Sequence, residues 1–78
     1  MIQNPLSALT ERQLQILRMR LTMTKGEIAR ELNISPSTVH DHFWHAVYAL
    51  GLKKANSAFF LLGKFDTEDL PEEAYRNE

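Results

Sequence analysis

Residues 24–52 read TKGEIARELNISPSTVHDHFWHAVYALGL, and this stretch decides the fold. Thr24 followed three residues later by Glu27 is a capping box, so a helix starts at Lys25. Ile28, Ala29 and Leu32 share one apolar face of that helix. Asn33 stands where the chain must turn sharply, and Asn tolerates the left-handed conformation better than most residues. Ser35 can cap the next helix, and Pro36 suits its first position, where a missing N–H costs nothing. Ile34 and Val39 occupy the staple positions around that cap. Val39, Phe43, Ala46, Val47 and Leu50 recur at helical spacing and give the second helix its core side. Gly51 fits the stop. The reading is two helices joined by a tight turn, the second running from Pro36 to about Leu50.

Working outward, Thr10 and Gln13 form another capping box, with Leu9 and Leu14 as its staple pair. A first helix therefore starts after Thr10. Leu14, Leu17 and Leu21 share a face, broadened by Ile16 and Met19, and the helix is expected to end near Leu21. Residues 1–8 read as a leader, ordered or fraying, since Pro5 sits badly inside a helix. A fourth helix is expected from Ala55 or Asn56 to Leu62. Its run Ala58, Phe59, Phe60, Leu61, Leu62 holds more apolar surface than one short helix can hide. Either Phe60 or Leu61 lies partly exposed, or the run is a dimer interface.

Seventy-eight residues make one small domain with little stability to spare. The hydrophobic content of 44% argues against disorder of the whole chain. With no cysteine there is neither a disulfide framework nor a thiolate metal site. No apolar run approaches membrane-spanning length and no signal peptide is evident, so a cytoplasmic protein without membrane contact is expected. The net charge of −1 hides a segregation. Residues 1–65 carry eight Lys or Arg against four Asp or Glu. Residues 66–78 carry Arg76 against Asp66, Glu68, Asp69, Glu72, Glu73 and Glu78. A mildly basic body thus precedes an acidic tail, expected to be mobile or to form at most a short helical turn near Glu72–Arg76.

With helices, caps and turn in place, the chain resembles the GerE/LuxR-type DNA-binding domain over roughly residues 9–65. The resemblance rests on LTERQ at 9–13, EIARELNIS at 27–35, STVHDH at 37–42 and ALGL at 49–52. It implies an all-α, four-helix helix–turn–helix domain, tetrahelical and LuxR-type, followed by the short acidic tail. It also implies a double-stranded DNA partner and a homodimer through the last helix. Sigma-factor region four has a similar opening, including Leu17, Arg18 and Arg20, but lacks the TVxxH and LGL pairing. The chain departs from the family pattern in its groove face. Ala49 replaces the Lys before LG, a usual phosphate contact. His40, Asp41 and Trp44 stand where the family often has basic or polar residues. Each lost Lys–phosphate contact lowers affinity and its salt dependence.

The expected base-facing residues are Ser37, Thr38, His40, Asp41, Trp44 and His45, with Tyr48 near the same face. Asp41 could accept from a cytosine amine, and Trp44 could pack on a thymine methyl or a sugar. Trp44 is expected to be solvent-exposed. Lys25, Arg30, Lys53 and Lys54, with Ser35 at a helix start, are the expected phosphate-binding set. Arg12, Arg18 and Arg20 read as structural. His42 reads as a packed histidine bonded to the first helix. His42 and His45 lack a third partner for a metal, so no metal and no cofactor are expected. Nothing suggests an enzyme: there is no Gly-rich phosphate loop, no Cys nucleophile and no acid pair in a pocket setting. Two functions remain. One is a DNA-binding transcriptional regulator with the third helix in the major groove. The other is a helix–turn–helix-derived protein that binds another protein through the Trp44 face and has lost most DNA binding; Trp, Tyr and His with few Lys resemble a hot-spot patch.

Overall fold

Among the described residues, three of the four α-helices begin where a hydroxyl side chain takes over an otherwise unpaired backbone N–H. In the computed structural model, which describes residues 4–66, these are α1 (Glu11–Met19), α2 (Lys25–Leu32) and α3 (Pro36–Ala49). The fourth, α4 (Ala55–Phe65), follows Lys54 without a side-chain cap. Both expected capping boxes are complete. The Gln13 N–H donates to Thr10 Oγ1 at 3.1 Å and the Thr10 N–H to Gln13 Oε1 at 3.0 Å. The Glu27 N–H donates to Thr24 Oγ1 at 3.2 Å and the Thr24 N–H to Glu27 Oε1 at 2.8 Å. The described residues are helical and contain no strand.

Two left-handed residues end α2 and α3. Asn33 has φ 58° and ψ 47°; its N–H reaches the Arg30 carbonyl at 3.4 Å, and the Ile34 N–H reaches the Ala29 carbonyl at 3.0 Å. That pair of bonds is a Schellman motif. Gly51, at φ 77°, repeats it, donating to the Tyr48 carbonyl at 2.9 Å while the Leu52 N–H reaches the Val47 carbonyl at 3.2 Å. A side chain at Gly51 would meet no neighbour, so what favours glycine there is the backbone conformation alone.

The core is built on α3. Val39, Phe43, Ala46 and Val47 are buried along one side of it and meet Ile16 and Leu17 of α1, Ile28 and Ala29 of α2, and Ala58 and Leu62 of α4. On α1 the buried pair is Ile16 and Leu17, while Leu14 is only partly buried. Leu21 is 46% exposed, which corrects its placement on the core face: α1 ends at Met19, and the following turn carries Leu21 off the helical register. Arg20 closes that turn. Its Nη1 donates to the Met23 carbonyl at 2.8 Å, and its guanidinium lies 5.7 Å from the centre of the Phe43 ring.

The packed unit is wider at both ends than residues 9–65. Residues Pro5–Ala8 form a 3-10 turn capped by Asn4, and Leu6 is buried in the core against α4. The leader is therefore part of the domain from Asn4 onward. Asp66, assigned above to the acidic tail, is 5% exposed and accepts from Arg18 Nε at 2.7 Å and Nη2 at 2.8 Å. A bidentate arginine–carboxylate pair of this geometry ties the end of α4 to α1. The rest of the tail, including the expected turn near Glu72–Arg76, lies outside the described residues. α4 itself runs three residues beyond Leu62, to Phe65.

Replacing Asp66 by Asn removes the charge of a mostly buried partner from a pair whose Arg18 side chain is 26% exposed. The expected cost is about 2 kcal/mol of stability, reduced from a fully buried pair by that exposure. Urea denaturation should show a lower midpoint with an unchanged slope. The double variant Arg18→Met/Asp66→Asn should lose less than the two single losses combined.

Candidate nucleic-acid interface

The start of α3 is fixed by a hydroxyl cluster. Ser35 Oγ accepts from the Thr38 N–H at 3.1 Å and lies 2.8 Å from Thr38 Oγ1 and 3.2 Å from Ser37 Oγ. Ser35 and Thr38 are thus engaged in capping, and Thr38 is partly buried. Ser37 is exposed. With Pro36 at the first helical position, the entry of α3 is held by both a cap and a fixed φ. This rigidity sets the direction in which the next two turns point.

Opposite the core side, His40, Asp41, His45 and Tyr48 are exposed. Together with Trp44 they line one shallow, open depression. His40, Trp44 and Tyr48 follow each other at helical spacing, with ring centres 6.4 Å and 5.8 Å apart. Trp44 is not free of the core, which corrects the expectation of a solvent-exposed ring. It is partly buried and meets Phe43 edge-on at 5.3 Å, because its large ring folds back over the margin of the core. Tyr48, 59% exposed, completes the face one turn further on. Its position four residues after Trp44 is the sequence signal that places it there.

The exposed cations lie on elements other than α3. α3 contains no Lys or Arg. Lys25 and Arg30 are exposed on α2, and Lys53 and Lys54 are exposed just before α4. Lys54 supplies no side-chain cap to the first N–H groups of α4, which follow Lys53 and Lys54 directly in sequence. Such a helix start favours an anion. His42 is partly buried on the flank of α3, and its ring makes no hydrogen bond among the described residues; the expected bond to the first helix is not formed. Among the described residues no three His, Asp or Glu side chains gather as a metal site. No helix among them is long and apolar enough to cross a membrane.

The apolar run on α4 divides. Ala58 and Leu62 are fully buried in the core of their own chain, so they are removed from the candidate dimer interface. Phe59 and Leu61 are partly buried, and Phe59 packs 5.7 Å from Phe43. Phe60 is 67% exposed, with the Lys64 ammonium 5.6 Å from its ring centre.

Two capped helices are joined through a left-handed Asn, and the second turns His40, Asp41 and His45 outward. The family model GerE, bacterial regulatory proteins of the luxR family, matches residues 7–59. The chain belongs to this luxR family. The match takes in α1, α2, α3 and the first turn of α4, and thus both Schellman turns. The Arg18–Asp66 pair closes outside it. No curated protein and no solved structure matches the chain. As a luxR-family domain, it carries a helix–turn–helix of the DNA-binding regulatory type.

Because Trp44 is packed on one side, Trp44→Ala should cost stability, at about 1–2 kcal/mol, well below the full cost of a buried aromatic. Equilibrium urea unfolding followed by circular dichroism gives this difference directly.

Proposed function

We propose that this protein is a transcriptional regulator that binds double-stranded DNA with α3 in the major groove, acting in the cytoplasm. The observation that carries the reading is the arrangement around α3. A rigidly capped helix presents Ser37, His40, Asp41, Trp44 and His45 outward, while Lys25, Arg30, Lys53 and Lys54 stand exposed on the elements to either side. Base edges would meet the first set, and phosphates the second. Ser35 and Thr38 contribute mainly by holding the helix start in place, where its N–H groups favour a phosphate.

Duplex binding by flanking cations has a measurable signature. Affinity falls as salt rises, with a slope set by a few phosphate contacts per subunit. Changing Lys53 and Lys54 together to Ala should weaken binding to all duplexes alike and flatten the slope by about two units. Fluorescence anisotropy with specific and random duplexes at several salt concentrations tests this. Equal affinities for the wild type and the double variant would remove the pair from the interface.

A second reading is favoured by one observation: the absence of any cation on α3 next to the Trp44–Tyr48 contact. An aromatic face without Lys is the composition of a protein-binding hot spot. On that reading the same titration finds negligible duplex binding at any salt.

The dimer is assigned to Phe60, with Phe59 and Leu61 at its margin. A two-fold axis at this point of α4 would cover the exposed ring on both subunits at once. Phe60→Glu should leave helix content intact, since the ring contributes little to its own core. In sedimentation velocity the wild type should run as a dimer and the variant as a monomer.

A further inference from the structure

Asp41 has no side-chain partner among the described residues. It is the sixth residue of α3, past the first turn, so it neither caps the helix nor meets the positive end of its dipole. It is exposed, and it forms no ion pair or hydrogen bond among the described residues. Its helix offers no Lys or Arg to neutralise it, and His45, one turn on, does not pair with it. Asp is a weak helix former in an interior position. Among the described residues this carboxylate therefore makes no contact that would offset its cost. It points from the depression that also holds His40, Trp44, His45 and Tyr48.

Resting on the DNA reading above, we propose that Asp41 is the specificity-determining residue of α3 and that it selects a cytosine. An ionised carboxylate only accepts hydrogen bonds. In the major groove guanine offers N7 and O6, both acceptors, and thymine offers the acceptor O4 and a methyl group. Adenine sets the acceptor N7 beside its N6 amine. Cytosine alone presents an amine, N4, with no acceptor of its own on that edge. At guanine or thymine, and near any phosphate, the same charge is repelled, and at adenine the acceptor N7 beside the amine offsets the bond to N6. One side chain thus rewards the right base pair and penalises random duplex, and specificity grows from both terms.

The test is selection of bound sequences from a random duplex pool by the wild type and by Asp41→Asn. Anisotropy titrations against random duplex at low salt accompany it, with circular dichroism to show that the exposed substitution leaves the fold intact. The wild type should fix a cytosine at one position of each selected site. Asp41→Asn should lower that preference by about five- to a hundred-fold and move it toward adenine, whose N6 and N7 an amide can pair with. Random-duplex affinity should rise in the variant, because a negative charge has left the groove face. A selected site with no fixed cytosine, or the same site and the same random-duplex affinity for both proteins, would overturn the assignment while leaving DNA binding standing. A wild type that binds no duplex at all would instead remove the DNA reading itself, and the assignment with it.

Discussion

Everything in this domain depends on one side of α3. Val39, Phe43, Ala46 and Val47 are the surface against which α1, α2 and α4 all close. A chain this short builds one core, and here a single helix supplies its centre. That constraint fixes the rotation of α3 about its own axis, and so determines which residues face outward. The outward set is not chosen freely: each apolar position on the core side leaves its helical opposite to the solvent. His40, Asp41 and His45 are exposed for that reason, and Trp44 and Phe43, adjacent in sequence, share the boundary between the two sides.

Local chemistry was legible where one residue type answers one backbone need. Thr10 with Gln13, Thr24 with Glu27, Ser35 with Pro36, Asn33 and Gly51 each announced a helix end, and each stands at one. Periodicity likewise gave the core side of α3. What sequence could not show was anything that depends on how elements meet. Asp66 looked like the first of six acids in a tail, because nothing within a few residues distinguishes it from Glu68 or Asp69. Its partner, Arg18, is on a different helix. Leu6 was hidden in the same way behind Pro5, which takes the first position of the 3-10 turn that forms, where its missing N–H costs nothing.

The interface shows the same division. Exposure of His40, Asp41 and His45 followed from helical spacing, and that of Lys53 and Lys54 from their place in the turn before α4. The burial of Ala58 and Leu62 did not, because a continuous apolar run carries no phase from which its inner side can be read. Phe60 is left outside only because Ala58 and Leu62 have turned in. Trp44 is the intermediate case. Its backbone position is on the outer side, but a ring of that size reaches across the helix surface to Phe43, and no pattern of letters records that reach.

The two ends of the folded unit meet. Asn4 Nδ2 lies 3.4 Å from the Phe65 carbonyl, and the next residue along, Asp66, is held by Arg18. The polypeptide therefore enters and leaves through the same small area of surface. A unit with that property behaves as a plug: a host loop can be opened and joined to it at both ends without being stretched, and its own ends can be linked and a new opening made elsewhere.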